Sequence, residues 1–322
     1  MAERREHGPA VVTGGAGAIG LHVVERLLAD GREVRVLDNF STGRRELLPT
    51  GKGISVTSCD LGAGEPPGEV LRGAAELWHL AANANILRGT ADPHTDLTNG
   101  ILATFHALEA ARRQDVRRVV FSSSSVVYGR PSVLPTPESY GPLAPESVYG
   151  GAKLAAEGLV SSYAHSYGLT TYILRFANIV DGRMNHGILY DFFEKLRRTP
   201  GRLEVLGNGR QAKSYLRTED CVEGMLLASR RASDPVNIFN LGSTGQTPVR
   251  SIAEKVVAAH GGRATIVYGE GERGWVGDVP QQLLAIDRIR ALGWSPSGTS
   301  DQAIDRTIAE LAALRHVTPR AG

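Results

Sequence analysis

Cysteine is scarce: the 322 residues hold two, Cys59 and Cys221, far apart and outside any metal-ligand spacing. That leaves no disulfide framework and no thiolate metal site, and it suits a reduced, cytoplasmic setting. Charge of one sign is missing too. Lys plus Arg number 36 and Asp plus Glu 34, a balance of +2, so no electrostatic footprint for nucleic acid or an anionic membrane exists. Apolar runs never approach the roughly 18 residues that a spanning helix needs, and the polar stretch Met1 to Pro9 lacks the apolar core of an export signal. Lysine itself is rare, five against 31 arginines, so a lysine at a chemically meaningful position is informative here.

What is present is alternation. Short apolar runs at Ala10 to Thr13, Glu33 to Asp38, Ile54 to Ser58, Leu77 to Leu80, Arg118 to Ser122 and Thr171 to Arg175 read as strands. Helix-period segments separate them at Ile19 to Ala29, Asp96 to Arg113 and Val148 to Tyr167. Parallel strands need crossovers, so this βαβ order predicts an α/β fold of the Rossmann type: a doubly wound parallel sheet covered by helices on both faces. Beyond Val180 the elements shorten and mix, with helices at Gly187 to Arg198 and Glu219 to Arg230 and strands at Leu203 to Val205, Val236 to Asn240 and Ala264 to Val267. Thr247 and Pro248 read as the cap and first-turn proline of a helix running to Ala259. The expected division is 1–180 as a dinucleotide-binding domain, with segments near 215–245 rejoining it, and 181–322 as a smaller mixed α/β substrate lobe.

The segment Thr13-Gly14-Gly15-Ala16-Gly17-Ala18-Ile19-Gly20 follows the first strand and opens the first helix. Gly14 permits the tight turn, Gly17 lets the backbone approach a pyrophosphate, and Gly20 lets helix pack on strand. Asp38 ends the second strand 18 residues after Gly20, where a carboxylate accepts the ribose hydroxyls of NAD and repels a 2′-phosphate. Arg44 and Arg45 nearby leave NADP open. Asp60, after the third strand, reads either as an adenine ligand or as a strand-end cap.

Tyr149 and Lys153 stand four residues apart at the start of a helix, on one face. A free phenol, with a pKa of roughly 10, is a poor base at neutral pH, and a neighbouring ammonium favours the phenolate. Ser122 through Ser125 follow the fifth strand at the carboxyl edge of the sheet, where open α/β folds bind ligands.

Together these motifs resemble the extended short-chain dehydrogenase/reductases, in their NAD-dependent nucleotide-sugar epimerase/dehydratase group, nearest to the UDP-glucose 4-epimerases. The resemblance runs nearly end to end through Asp38-Asn39-Phe40-Ser41-Thr42-Gly43, His79-Leu80-Ala81-Ala82-Asn83, Phe121 to Gly129, Tyr149 with Lys153, and Arg175-Phe176-Ala177-Asn178. It implies Ser124, Tyr149 and Lys153 as catalytic residues and no metal. It implies cofactor contacts from Gly14, Gly17, Ala18, Ile19, Gly20, Asp38, Asn39, Ser41, Thr42, Gly43, Asp60, Leu61, Leu80, Ala81, Ala82, Asn99, Ser122, Tyr149 and Lys153. Substrate contacts fall on Asn83, Ser124, Ser125, Tyr149, Asn178, Arg183, Asn185, Leu189, Val205, Lys213, Arg273 and Asp278. The resemblance further implies a homodimer through the Tyr149 helix and the helix before it, where Ala103, Ala107, Ala110, Ala155 and Ala156 are small enough for close approach.

Within that group, the dehydratases carry an Asp-Glu pair after the catalytic hydroxyl and the UDP-glucuronate decarboxylases a Glu in the same stretch. This chain has Ser125 and Val126 there, neither of which moves a proton as a carboxylate does. The expected reaction is therefore 4-epimerisation of a UDP-hexose, glucose against galactose, through a transient 4-keto sugar. UDP-glucuronate remains open through Arg183, and UDP-GlcNAc through Gln282 near the pocket gate. A catalytically silent dinucleotide sensor and a stand-alone ketoreductase are the competing classes.

Overall fold

The computed structural model describes residues 8–83 and 85–317. Most of the stretch on which the absence of an export signal was argued, residues 1–7, lies outside them. Seven parallel strands form the central sheet: β1 (Ala10–Thr13), β2 (Val34–Asp38), β3 (Ile54–Ser58), β4 (Glu76–His79), β5 (Arg118–Ser124), β6 (Thr170–Phe176) and β11 (Val236–Leu241). Their spatial order is β11-β6-β5-β4-β1-β2-β3, so the direction of progression reverses between β1 and β4. Apart from the edge strand β3, the strands split their side chains between two cores, as a period of two demands. Val12, Val36, Trp78, Val120 and Leu174 face one side, under α1 (Ala18–Ala29). Val11, Leu37, Leu77, Val119 and Ile173 face the other, under α3 (Ala103–Arg113) and α4 (Val148–Tyr167). Burial on both faces explains why these strands read as continuous apolar runs.

Helix α3 does not begin where periodicity suggested. The expected helix from Asp96 opens as a turn at Pro93–Asp96, preceded by the short α2 (Ile86–Ala91), and passes through a π-helical turn at Leu97–Leu102. Turns of this kind accommodate an extra residue and cluster near functional sites. Helix α4 starts cleanly: the Ser147 side chain accepts from the Gly150 amide at 3.1 Å, and Gly168 ends it with φ of 69°. Glu157 and Arg175 then fasten it to the sheet by two hydrogen bonds, 2.9 and 2.7 Å, with Ser123 of β5 donating to the same carboxylate.

The later part of the chain packs a third core from α5 (Ile188–Arg198), β8 (Arg202–Val205), α7 (Val249–Ala259) and α8 (Ser300–Val317). Short sheets brace it: β7 (Asn178–Val180) with β10 (Tyr215–Arg217), β8 with β13 (Thr265–Tyr268), and β12 (Thr247–Pro248) with β9 (Ala212–Lys213) and β14 (Gln281–Gln282). Between β10 and β11 lies α6 (Thr218–Arg231), against the first core. Thr247 and Pro248 are thus strand, with Pro248 as the cap and the helix starting at Val249. Pairing with β9 claims both residues before the helix begins.

His79 ends β4 fully buried, with its ring nitrogens 2.8 Å from Thr13 Oγ1 and 3.1 Å from Thr104 Oγ1. Burial, reinforced by the Lys153 charge, pulls it down to about 3. Between about pH 6.5 and that value the unfolded chain takes up a proton that the folded chain refuses, so acidification destabilises the fold, by at most ~1.4 kcal/mol per pH unit. The urea midpoint should therefore drop more between pH 7 and pH 5 in the native protein than in His79→Gln; equal drops would remove His79 as the cause.

Candidate active site

The strand reversal places the ends of β1, β2, β4 and β5 around one opening, as the switch point of a doubly wound sheet requires. A cavity of about 880 Å³ runs from there to the third core. Gly14 takes φ of +67°, and a Cβ on it would lie 2.7 Å from the Ala81 amide nitrogen. A Cβ on Gly20 would lie 2.1 Å from the Gly14 carbonyl oxygen. At Gly17 the only neighbour would be that same oxygen, at 3.2 Å, so its open side faces the cavity. No side chain caps α1 and no acid sits in its first turn, which leaves amide N–H groups directed at an anion. A dinucleotide pyrophosphate fits this cradle.

Asp38 is 8% exposed and lines the cavity. Its two oxygens already accept from the Ala16 and Phe40 amides, at 2.9 and 2.8 Å. Each keeps a second lone pair for a ribose hydroxyl. Asp60 is exposed, accepts from the Gly62 amide at 2.9 Å, and also lines the cavity, so turn formation and adenine contact are compatible. Arg44 donates to the Arg183 carbonyl and Arg45 lies over the Phe40 ring. Neither lines the cavity, so among the described residues the cavity wall beside Asp38 presents no cation to a 2′-phosphate.

Of the expected cofactor residues, all from Gly14 to Lys153 border this one cavity, Asn99 from the π turn included. Asn83, Ser124, Ser125, Tyr149, Asn178, Leu189, Val205, Lys213 and Asp278 border it as well. Three expected substrate residues do not. Arg183 grips Glu25 through two hydrogen bonds of 2.8 and 3.0 Å, Asn185 donates to the Thr42 carbonyl, and Arg273 pairs with Glu146 at 3.0 Å. Each is thus engaged by an acceptor from another part of the chain. Trp275, Gln211 and His186 line the cavity without having been singled out. The Trp275 ring faces the Lys213 ammonium at 4.8 Å, and Lys213 is paired with Asp278. A tryptophan two residues past Arg273, itself an expected substrate contact, was the available signal.

Tyr149 and Lys153 meet as their spacing required, but their electrostatics differ from expectation. The Lys153 ammonium donates to the Ser122 carbonyl at 2.6 Å and stands 5.9 Å from the centre of the Tyr149 ring. Burial pulls Lys153 down to about 8, with Glu157 and Asp96 resisting. Burial pushes the Tyr149 phenol well above its ordinary value, Asp96 adds to the rise, and Ser124 hydrogen-bonding opposes it. Without a ligand, the phenol is thus held protonated: desolvation of the phenolate outweighs whatever the neighbouring ammonium contributes.

Comparison with known proteins agrees with this construction. A model described as the NAD dependent epimerase/dehydratase family matches residues 10–242. A UDP-glucose 4-epimerase of Mycolicibacterium smegmatis is 31% identical over 309 residues, covering 92% of this chain and 96% of its own. A UDP-glucuronic acid decarboxylase of Arabidopsis thaliana is 32% identical over 266 residues, covering 80% of this chain and 60% of its own. A crystal structure of a UDP-galactose 4-epimerase superposes with a TM-score of 0.84 at 38% identity, covering 96% of this chain and all (100%) of that one. The glycine cradle, the carboxylate that ends β2 and the Tyr149–Lys153 pair on a seven-stranded parallel sheet therefore belong to a member of the NAD-dependent epimerase/dehydratase family.

Proposed function

We propose that this enzyme inverts the configuration at C4 of a UDP-hexose, interconverting UDP-glucose and UDP-galactose through a transient 4-keto sugar. The observation that carries this reading is that Tyr149 and Ser124 border the same cavity as the glycine cradle, while Ser125 and Val126 follow Ser124 with no carboxylate between them. Proton exchange at C5 or C6, as dehydration needs, has no acid or base at that position.

When bound, NAD supplies what the side chains lack: a hydride acceptor that returns the hydrogen, and a positive charge. Tyr149 takes the O4 proton as C4 is oxidised and gives it back when C4 is reduced on its other face. Ser124 shares a hydrogen bond with the phenol and orients the hydroxyl. Lys153, anchored on the Ser122 carbonyl, holds a positive charge beside the ring without contacting the hexose. Lys213 would meet the nucleotide diphosphate and Asp278, paired with it, the nucleotide ribose, with Trp275 beside them. In this reading residues 1–180, with the strand at Val236–Leu241, bind NAD and residues 181–322 bind the nucleotide sugar.

A neutral hexose is favoured over UDP-glucuronate because Arg183, the residue assigned to a C6 carboxylate, is engaged by Glu25 outside the cavity. Gln282 lines the cavity with its amide oxygen held by Asn178 at 2.6 Å. We also assign the exposed apolar face of Leu102, Phe105 and Val148, beside the open Gly151 and Gly158, to contact with a second copy of the chain. Ala103, Ala107, Ala110 and Ala156 pack inward on the sheet, so Ala155 alone of the five alanines is placed for that contact. The unpaired thiols of Cys59 and Cys221 suit a cytoplasmic setting.

Purified protein, with no cofactor added, is to be incubated separately with UDP-glucose, UDP-GlcNAc and UDP-glucuronate and followed by proton NMR. Appearance of UDP-galactose supports the proposal; a 4-keto or olefinic product, or turnover only of another sugar, rejects it. Tyr149→Phe should lower turnover by at least ~10³-fold while retaining NAD, and an active variant would remove Tyr149 from the mechanism. Gly17→Ala should fold with an unchanged melting temperature and retain NAD at least ~10-fold less tightly, since its methyl enters the cradle rather than the core. Phe105→Glu should convert a dimer to a monomer in sedimentation; a monomeric native protein would discard the assigned face.

A further inference from the structure

Asp96 is a carboxylate that neither the family motifs nor the mechanism above employs. It ends the turn at Pro93–Asp96 and is 1% exposed. Its Oδ1 accepts from Asn83 Nδ2 at 2.8 Å. Its Oδ2 is buried and, among the described residues, has no hydrogen-bond partner. The lid over that oxygen is the backbone of α2, where a Cβ on Gly89 would stand 1.8 Å from it. The neighbours Thr95 and Asn99, and the partner Asn83, border the cavity, so Asp96 lies one layer behind its wall.

An acid placed like this needs a reason. It does not cap a helix, since its side chain makes no hydrogen bond to the π turn that follows. Buried carboxylates are ordinarily paired or fully hydrogen-bonded, and this one has a single donor among the described residues. The charged groups on the surrounding elements are Arg88 on α2, Asp92 and His94 on the adjoining turn, and Lys153 with the titratable Tyr149 on α4. Arg88, Asp92 and His94 are exposed. Glu157, the other acid near Lys153, is committed to Arg175. Burial raises the Asp96 carboxyl above its ordinary range, the Asn83 hydrogen bond and the Lys153 charge oppose that rise, and Asp96 acts in turn on both Lys153 and Tyr149.

We propose that Asp96 is a positioning residue for the Tyr149–Lys153 pair: a carboxylate sealed behind the cavity wall that keeps the ammonium charged and sets the pH at which the phenol releases its proton. An anion there repels a phenolate and attracts an ammonium, so both groups keep their protons to higher pH than the cavity alone would allow. The carboxylate's negative charge, shared by both oxygens, is the source of the effect. A carboxylate saturated with hydrogen-bond donors would present a weaker field to Tyr149. The arrangement keeps the base protonated until a cation enters the cavity beside it, which couples proton abstraction to cofactor occupancy.

The proposal rests on the assignment of Tyr149 as the base, and its test needs no turnover. The tyrosinate absorbance of NAD-loaded protein is titrated against pH, with the Tyr149→Phe protein subtracted so that the signal reports Tyr149 alone. In Asp96→Asn, which keeps the shape and removes the charge, the Tyr149 midpoint should fall by about one pH unit. Asp96→Ser removes the same charge with a smaller side chain and should move the midpoint in the same direction. An unmoved or raised midpoint in whichever variant folds and retains NAD overturns the proposal. Failure of both variants to fold overturns it equally, by making Asp96 a structural residue. A chain that shows the shift but inverts no sugar would leave this inference standing while rejecting the proposed reaction.

Discussion

Glu157 and Arg175 hold the molecule's chemistry in register. Both are almost wholly buried, and their two hydrogen bonds join α4 to β6, while Ser123 ties the same carboxylate to β5. An ion pair removed from water is no cheap source of stability, and leaving either partner alone inside would cost about 3–5 kcal/mol. What the pair secures is position. Lys153 lies one turn before Glu157 and Ser124 one residue after Ser123, so the three groups proposed for catalysis, Tyr149 included, hang from elements fixed to one another by that contact. The Arg175 guanidinium also donates to the Tyr128 hydroxyl at 3.0 Å, which in turn donates to Asn240 on β11. The network thus reaches the edge of the sheet.

The second constraint is desolvation. The cavity wall holds a phenol, an ammonium and, one layer back, a carboxylate, all largely removed from water. In such a place each charge is felt more strongly than in solvent, and each group's protonation depends on the others. Burial favours the neutral form of every one of them, which is why Lys153 is weakened as a cation and Tyr149 as an acid. A site balanced this way is poised for a charged ligand, and the glycine cradle next to it is shaped for one.

Much of this was legible in the residues. The inner strands were visible as apolar runs because both faces of the sheet are covered there, and a fully buried strand has no polar alternation to obscure it, whereas the half-buried edge strand Ile54–Ser58 alternates. Gly14, Gly17, Gly20 and Asp38 could be placed because their spacing is set by a tight turn of fixed geometry. The π turn at Leu97–Leu102 was invisible, since a helical register that slips by one residue leaves no mark in apolar periodicity. Arg183 and Arg273 lie outside the cavity lining for a reason that local spacing does not show. A long cation goes to the nearest carboxylate, and Glu25 and Glu146 stand far from them in sequence.

The sequence by itself determined the class of fold, the cofactor cradle and the pairing of Tyr149 with Lys153, because each depends on separations of a few residues along one strand, turn or helix. Only the tertiary structure decided which charges face the cavity and in what state. That Asp96 lies behind Tyr149, that Asp38 is already held by two amides, and that Arg183 is turned away all depend on elements brought together from distant parts of the chain. Electrostatic energy follows distance and burial rather than sequence position, and both are properties of the folded molecule.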